Sequence, residues 1–410
     1  MRALSPAWLL FVLTGLNLFN YLDRYILPSV LTPLKTGLLI SDTQSGRINS
    51  AFMLGYFLTA PFFGYLGDRI SRKWLIAFGI FVWSAGTVLT GFATGLASLL
   101  FYRILVGLGE ASYATISPAL ISDAFSDEKR NNALTIFYVA IPVGGALGYG
   151  LGGWIEHHFG WRNAFFCAGI PGLLLALVLL PFRDPERGQA DHKAVERPRL
   201  SEVLGLFRLP NFHLVVWGYV AYTFALGAFA FWGPSYLVRV QGMANKQADL
   251  FFSATLCGAG LLGTFLGGFA ATAWHKRLPA AYAFVLAIST FAAVPVAFGA
   301  FLTTNTSIAM ACLAGSMFLL FLSAGPVNTL IIESVPVNLR ASAMAISIFM
   351  IHLFGDFRSS EIVGHISDRT HSLQTAVLIL PTVLIVAGVL WLALALKTVL
   401  APRRAVPTNE

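Results

Sequence analysis

Four ionisable side chains interrupt stretches of sequence that are otherwise as apolar as lipid. Asp23 and Arg24 stand side by side in the first apolar run, and Arg103 and Glu110 lie in a later one. A lone Asp or Arg at the centre of a membrane helix costs about 2.5–3.5 kcal/mol on insertion scales. Buried carboxylates can bind and release protons, and arginine can bind a phosphate through two parallel hydrogen bonds. Proton transfer and anion binding are therefore the chemistry that these residues indicate.

The spacing of the later pair places several residues on one helical face. Arg103, Gly107, Glu110 and Ala114 follow one another at i, i+4, i+7 and i+11. The small residues between the charges predict a face that is open to a cavity. At about 1.5 Å per residue, Asp23 and Arg103 are predicted to lie at a similar depth. A comparable polar stripe in the first run consists of Asn17, Asn20, Tyr21 and Arg24.

Two hypotheses explain the buried charges. In the first, Asp23 and Glu110 are proton-coupling carboxylates that compete for Arg24 and Arg103. Burial favours the neutral form of a carboxyl and a neighbouring arginine favours the charged form, so such a group can bind a proton on one side and release it on the other. In the second, the charges form a static ion pair that orients the helices. We expect the first, because ionisable groups inside a membrane are usually functional.

The composition indicates that lipid is the main solvent of this chain. Of its 410 residues, 57% are hydrophobic and 11% are charged, whereas soluble domains carry roughly 25% charged residues. The net charge of +8 is expected to follow membrane topology, so no nucleic-acid partner is predicted. The sequence shows no metal-ligand spacing and no phosphate-binding glycine loop, which predicts neither a metal site nor a cofactor.

Twelve apolar segments are long enough to cross a bilayer, which requires about 20 residues. Their approximate bounds are 8–32, 45–67, 74–94, 97–122, 131–155, 163–182, 211–238, 248–273, 279–301, 306–332, 341–364 and 373–398. The sequence therefore predicts an all-α membrane protein with twelve transmembrane helices. It divides into an N-terminal six-helix bundle at 1–182, a cytoplasmic linker at 183–208 and a C-terminal six-helix bundle at 209–410.

The basic residues predict the orientation. Of the 27 lysines and arginines, 18 fall on the side of the termini, six on the opposite side and three within spans. Because cytoplasmic loops are enriched in basic residues, both termini are expected in the cytoplasm. The predicted location is the cell membrane, as in a multi-pass protein of a bacterial inner membrane. The first span lacks a cleavage site and is expected to be retained.

The two halves repeat. The segment GYLGDRISRK after the second span aligns with GFAATAWHKR after the eighth. An acidic residue precedes a basic residue by seven positions in both halves, at Asp123 and Arg130 and at Glu333 and Arg340. A parallel six-plus-six repeat predicts a transporter with its cavity between the halves.

GYLGDRISRK also resembles the loop signature of the major facilitator superfamily. The resemblance implies the fold of that superfamily, in which two six-helix bundles are related by a pseudo-two-fold axis. It also implies a cytoplasmic gate in which Asp68 pairs with Arg130 and faces the N-terminus of span 11. A plain positive-inside loop is the alternative interpretation. The implied gate residues are Gly64, Gly67, Asp68, Arg69, Arg72, Lys73, Asp123 and Arg130.

Further segments resemble the Spinster family of lipid transporters within that superfamily. They are the Asp-Arg pair of span 1, RILVGLGEASY from Arg103, IPVGGALGYGLGGWI from Ile141 and HLFGD from His352. The segment GDFRSSE (355–361) departs from the pattern, because Ser360 stands where proline is expected.

The resemblance implies a proton-linked secondary active transporter of an amphiphilic lipid, of the lysophospholipid or sphingosine phosphate class, that works by alternating access. Its partners would be membrane lipids and this substrate, its driving ion H⁺, and its state a monomer. The expected substrate-binding residues are Arg24, Arg103, Asn20, Tyr21, Tyr113, His352 and Asp356. For His352 and Asp356, a role in the cavity and a role in helix packing both stay open.

Other functions remain as alternatives. Within transport, the alternative is a drug or organic-anion carrier. An intramembrane lipid-modifying enzyme would need a nucleophile and a general base at one depth, and the sequence shows none. No catalytic residues and no enzyme activity are therefore expected. A channel is disfavoured by the two-half repeat and the gate signature.

Overall fold

The computed structural model describes the backbone of residues 5–67, 69–125, 127–178, 200–336 and 339–400. Within these ranges it does not describe the side chains of residues 122, 127–132, 178, 200, 340 and 341. The described chain is helical and contains no strand. The predicted all-α class is therefore confirmed.

The first half of the chain forms six long helices. They are α1 (Pro6–Ser29), α2 (Asp42–Gly67), α3 (Arg72–Gly91), α4 (Leu96–Ala124), α5 (Asp127–Phe159) and α6 (Trp161–Val178). The first span was predicted to continue to residue 32, but α1 ends at Ser29 and a short helix, Leu31–Leu38, follows. Pro33 has no backbone N–H to continue α1, although proline is tolerated in the first turn of a new helix.

The second half forms six more. They are α7 (Pro210–Arg239), α8 (Asn245–His275), α9 (Ala281–Leu302), α10 (Thr306–Phe321 and Ala324–Glu333), α11 (Arg340–Met350, Ile351–Asp356 and Phe357–Thr370) and α12 (Leu373–Val377 and Ile379–Leu400). The middle segment of α11 is a π-helical turn, where the sequence predicted an uninterrupted span. Such turns are frequent at functional sites.

Eight of the described helices are long and apolar enough to cross a membrane, namely α3, α4, α5, α7, α8, α9, α10 and α12. The other four are shorter or more polar. The helix α1 carries Asp23 and Arg24, for example, and the last segment of α11 carries Arg358 and Glu361. Of the two helices that carry the four candidate charges, α4 is therefore among the eight and α1 is not.

The two halves pack together at one end of the bundle. At this end, which we call the Asp42 end, α1 and α7 finish and α2 begins. Helix α2 packs along the last segment of α11, and α5 packs along α8. The larger apolar core extends across this contact and includes Tyr149 of α5 and Phe252 of α8. A smaller apolar core lies within the first half, around Leu13, Phe52 and Trp83.

Candidate functional site

An ion pair between α1 and α4 lies at the centre of the predicted site. Arg24 donates to Glu110 Oε2 through Nη2 at 2.6 Å and through Nε at 3.1 Å. The Glu110 side chain is fully buried, whereas the Arg24 side chain is 18% exposed. The structure thus brings together two of the four charges that the sequence singled out.

An aromatic ring from α2 contacts both Arg24 and Arg103. The Phe52 ring centroid is 5.0 Å from Cζ of Arg24 and 4.8 Å from Cζ of Arg103. Both distances are typical of cation–π contacts. One aromatic ring therefore contacts both guanidinium groups.

The small-residue face of α4 is covered by α2. A Cβ atom on Gly107 would lie 2.0 Å from the backbone oxygen of Phe52. The prediction that this face opens onto a cavity is therefore wrong at Gly107, because the missing side chain allows two helices to approach instead. The close approach is also what brings Phe52 next to Arg103.

Several buried polar atoms in the cluster have no hydrogen-bond partner in the described structure. They are Nε and Nη1 of Arg103, Oδ1 of Asp23, Oε1 of Glu110 and Nδ2 of Asn20. Arg103 is 1% exposed and Asp23 is 3% exposed. Because most buried polar atoms in native proteins are paired, a group of five unpaired atoms marks donors and acceptors that a ligand or a proton can use.

The hydrogen-bond donor to Asp23 is a neutral side chain. Its Oδ2 atom accepts a hydrogen bond from the Thr87 hydroxyl of α3. Asp23 and Arg103 interact electrostatically, but no ion pair within 4.0 Å joins them in the described part of the chain. Only the pair of Arg24 and Glu110 fits the static hypothesis, and Asp23 does not.

Aromatic contacts connect this cluster with α11. The Arg24 guanidinium lies 4.9 Å from the Tyr21 ring and 5.4 Å from the Tyr56 ring. The Tyr56 ring lies 5.8 Å from the ring of His352. Nδ1 of His352 is 3.1 Å from both carboxylate oxygens of Asp356. The structure therefore links His352 and Asp356, in the π-helical turn, to the charges of the first half through Tyr56.

Tyr113 lies away from any open space. Its side chain is fully buried, its hydroxyl donates to the backbone oxygen of Leu13, and its ring contacts Trp83 at 5.6 Å. These contacts fasten α4 to α1 and α3. In this conformation, the hydroxyl is not available to a substrate, although the sequence predicted a substrate-binding role.

The predicted gate is described only in part. Asp68 and the side chain of Arg130 lie outside the described residues, and so does their predicted pairing. Arg72 forms an ion pair with Asp123 and donates from Nε to the backbone oxygen of Gly67 at 3.3 Å. The other gate residues lie near these contacts: Gly64 and Gly67 on the face of α2 toward α4, Arg69 over the ring of Tyr65 and Lys73 near the ring of Trp74. The Arg72–Asp123 pair was not predicted.

A second set of charges closes the Asp42 end. Asp42 accepts from Nη1 and Nη2 of Arg239, both at 2.8 Å, from Lys35 and from the Ser367 hydroxyl at 2.6 Å. Asp368 accepts from the backbone N–H groups of Asp42 and Thr43 at 2.9 and 2.8 Å. We call Asp42, Arg239, Lys35, Ser367 and Asp368 the Asp42 latch; Lys35 lies in the short helix Leu31–Leu38 and the others in α2, α7 and α11. The sequence patterns do not predict these contacts.

The electrostatics of the Asp42 latch favour ionised carboxylates. Burial raises the pKa of Asp368, but hydrogen bonds from the Thr43 hydroxyl and backbone N–H groups outweigh burial and lower its pKa to about 2. Burial likewise raises the pKa of Asp42, and hydrogen bonds from Arg239 and Lys35 outweigh it, so that the pKa is lowered. The N-terminus of α2 adds to this effect, because a helix N-terminus attracts negative charge.

The segment that departs from the family pattern forms part of the same contact. Asn49 of α2 donates to the Ser360 hydroxyl at 3.1 Å, and Trp232 of α7 donates to the Ser360 backbone oxygen at 2.9 Å. Arg47 forms an ion pair with Glu361 at 2.8 Å. Serine at position 360 therefore supplies a side-chain hydrogen bond across the two halves that proline lacks.

Comparison with known proteins identifies the family. The model of the Major Facilitator Superfamily matches residues 13–355. Protein spinster of Drosophila melanogaster is 35% identical over 369 residues, which cover 87% of this chain and 61% of that protein. The sphingosine-1-phosphate transporter SPNS2 of Danio rerio is 33% identical over 430 residues, which cover 97% of this chain and 85% of that protein.

A solved structure shows the same fold. It is the crystal structure of a bacterial homologue of the human lysosomal transporter Spinster, in an inward-facing and unoccupied conformation. The match has a TM-score of 0.88 at 22% identity and covers 97% of this chain and 98% of that one. The predicted twelve-helix fold, with two six-helix bundles, is confirmed. The chain belongs to the Spinster family within the major facilitator superfamily, a family of multi-pass membrane transporters and not of enzymes.

Proposed function

We propose that the protein is a proton-linked secondary active transporter of an amphiphilic lipid, of the lysophospholipid or sphingosine phosphate class. The observation that carries the proposal is the cluster of Asp23, Arg24, Arg103 and Glu110, in which charged atoms are buried between helices but left without partners. Intramembrane charges of this kind mark substrate and ion pathways.

The arginines suit a phosphate head group. Arg103 is buried with two donor nitrogens, Nε and Nη1, unpaired, and a phosphate oxygen would satisfy donors that otherwise cost free energy. A relative is named for transport of sphingosine-1-phosphate, which supports a phosphorylated lipid. Both guanidinium groups contact the same ring, Phe52, so Arg24 and Arg103 belong to one cluster.

An apolar cavity suits the hydrocarbon chain. It has a volume of about 550 Å³ and lies between α2, α7 and α11, and its lining includes Pro61, Trp217, Phe349, Met350 and Phe354. Met350 and Leu353 flank His352 in the chain, so the cavity begins next to the residues that contact Tyr56. A lipid with its head group at the arginines would therefore meet an apolar surface on the side of the second half.

The contacts at the Asp42 end support alternating access. The Asp42 latch and the packing of α2 on α11 support a state that is closed at the Asp42 end. From the basic residues, we propose that this end faces away from the cytoplasm and that both termini lie in the cytoplasm, in a bacterial inner membrane. The moving units are residues 1–182 and 209–410, joined by the linker at 183–208, and the protein acts as a monomer.

In this cycle, the groups that bind the proton are the carboxylates of the cluster. Glu110 is bound to an arginine, Arg24, whereas Asp23 is bound to a hydroxyl, so the two carboxyls have different partners within one cluster. Protonation of Glu110 would weaken its hold on Arg24 and free the guanidinium for a phosphate. Asp68 and Arg130 are proposed to form the gate at the cytoplasmic end when that end closes.

The test uses purified protein in liposomes. Labelled lysophosphatidylcholine and sphingosine-1-phosphate are offered with and without an imposed pH gradient, and Arg103→Gln is compared with Arg47→Gln as the matched control. We expect saturable lipid flux that depends on the gradient and is lost only in Arg103→Gln. Flux that ignores the gradient would contradict proton coupling. Transport of organic anions without any lipid would contradict the substrate class and favour the drug or organic-anion carrier.

A further inference from the structure

A carboxyl outside the cluster is buried without any partner. Asp249 of α8 is 1% exposed, and neither of its side-chain oxygens has a hydrogen-bond partner in the described structure. The contrast with Asp42 is direct, because Asp42 is also buried but accepts from two basic side chains and a hydroxyl. A buried carboxyl without partners needs an explanation, since an isolated buried charge is very costly.

Asp249 lies where the two halves touch. Oδ2 would be 2.2 Å from a Cβ atom on Gly153 of α5, so the carboxyl rests directly on the backbone of the other half. One turn away on α5, Tyr149 donates to the backbone oxygen of Ala230 at 2.5 Å and packs its ring 5.6 Å from the ring of Phe252. The carboxyl is therefore sealed into an interface that must separate when the Asp42 end opens.

The groups around Asp249 disfavour its charge. Glu156 of α5 interacts with it as a like charge, and Tyr149 of α5 is the other titratable neighbour. On α8 itself, Lys246 forms no ion pair with Asp249, and on α7 the nearest cation at this end, Arg239, is bound to Asp42. Asp249 lies past the first turn of α8, where the helix dipole contributes little. Within the described chain, the neutral acid is the form that this environment stabilises.

We propose that Asp249 is a second proton-binding site, separate from Asp23 and Glu110, which holds a proton while the Asp42 end is closed and releases it when α5 and α8 separate. On release, the O–H bond of the carboxyl breaks, the electron pair stays on the carboxylate and water at the Asp42 end takes the proton. The inference rests on the alternating access proposed above, but not on the lipid substrate or on the cluster around Arg24.

The experiment follows the opening of the Asp42 end. Spin labels are placed on Thr94, in the loop between α3 and α4, and on Thr304, in the loop between α9 and α10, because both residues are exposed. The native cysteines are first replaced with serine, and distances are measured in lipid nanodiscs as a function of pH. In the wild type, we expect the open population to grow with rising pH, by up to about tenfold per pH unit for each proton released.

We call the change in the logarithm of the open-to-closed ratio per pH unit the slope. Asp249→Asn should reduce this slope by the contribution of one proton. Asp249→Ala removes the same carboxyl without leaving a buried amide, so either variant tests the inference if the other does not fold. Asp368→Asn is the matched control, because Asp368 lies at the same end but has a pKa of about 2. It should change the open population without changing the slope. A slope equal to that of the wild type in a folded Asp249 variant would overturn the inference.

Lipid flux in vesicles tests the proposed function separately. Wild-type flux that ignores a pH gradient would contradict the proposed proton-driven transport. A reduced slope in the distance measurement of Asp249→Asn would nevertheless support the proton site, because that measurement contains no substrate.

Discussion

Arg24 and Glu110 form an ion pair in which two nitrogens of the guanidinium share one carboxylate oxygen, Oε2, at 2.6 and 3.1 Å. The other oxygen, Oε1, has no partner in the described structure. A proton can therefore bind at Oε1 while Oε2 still faces Arg24. In the proposed transport cycle, Oε2 orients the arginine and Oε1 is the oxygen that binds the proton.

Glu110→Gln should destabilise the protein, because it leaves Arg24 without a counter-charge. Breaking a buried ion pair costs roughly 3–5 kcal/mol. We expect a decrease in the free energy of unfolding near the lower end, about 3 kcal/mol, since Arg24 retains contact with water. Chemical denaturation in detergent measures it. The control is Glu361→Gln, whose partners Arg47 and Arg358 have side chains that are 53% and 64% exposed, and which should cost less than about 1 kcal/mol. Equal effects in the two variants would contradict the assignment.

Asp23→Asn should behave differently from Glu110→Gln. Asparagine can still accept the hydrogen bond from Thr87, and no ion pair is lost, so stability should change by less than about 1 kcal/mol. The pH dependence of transport should nevertheless decrease, because the amide cannot bind or release a proton. Melting temperature and the pH profile of flux are measured on the same preparation. A large loss of stability with an unchanged pH profile would support the static ion-pair hypothesis for Asp23 instead.

Arg103→Lys should impair transport of a phosphorylated lipid. Lysine keeps the charge but loses the planar group that lies 4.8 Å from the Phe52 ring and the two unpaired donor nitrogens, Nε and Nη1. A hydrogen bond to a charged group contributes roughly 1.5–3 kcal/mol, so flux of sphingosine-1-phosphate should decrease about tenfold or more. Unphosphorylated sphingosine is the control substrate. A similar decrease for both lipids would show that Arg103 does not act on the phosphate.

The central charges could be predicted from sequence because a membrane makes them conspicuous. An Asp, Glu or Arg inside a span is costly, so Arg24, Arg103 and Glu110 had to find partners or a function. Phe52 and Tyr56 were missed, although both contact Arg24. The chain contains 34 phenylalanines and 12 tyrosines, and one ring among so many gives no signal beyond its i, i+4 spacing.

The Asp42 latch was missed for a different reason. Asp42 and Arg239 are 197 residues apart, and Asp42 and Asp368 are 326 apart. Each lies at the end of a span, where a charged residue is ordinary and predicts no partner. Their pairing depends on how the two halves are oriented, which local sequence patterns do not contain. The π-helical turn of α11 was missed similarly, because a single extra residue in a turn leaves the apolar pattern almost unchanged.

Asp42→Asn should release the Asp42 end. The substitution removes the carboxylate that binds both nitrogens of Arg239 and also binds Lys35. The loss of charged hydrogen bonds, roughly 1.5–3 kcal/mol each, should raise the ratio of open to closed molecules about tenfold or more. The distance between spin labels on Thr94 and Thr304 measures this ratio. The control is Glu361→Gln, which removes the partner of the exposed Arg47 at the same contact.

The effect of pH on this variant distinguishes the latch from the proton sites. The pKa of Asp368 is lowered from 3.8 to about 2, and the pKa of Asp42 is also lowered. A carboxyl whose pKa is lower in the closed state stabilises that state fully above its ordinary pKa and loses the effect as the pH falls through the lowered value. The latch should therefore hold with constant strength above about pH 5. The difference between Asp42→Asn and the wild type should be the same at neutral and mildly acidic pH, and a difference that disappears over this interval would show that Asp42 itself takes up the proton.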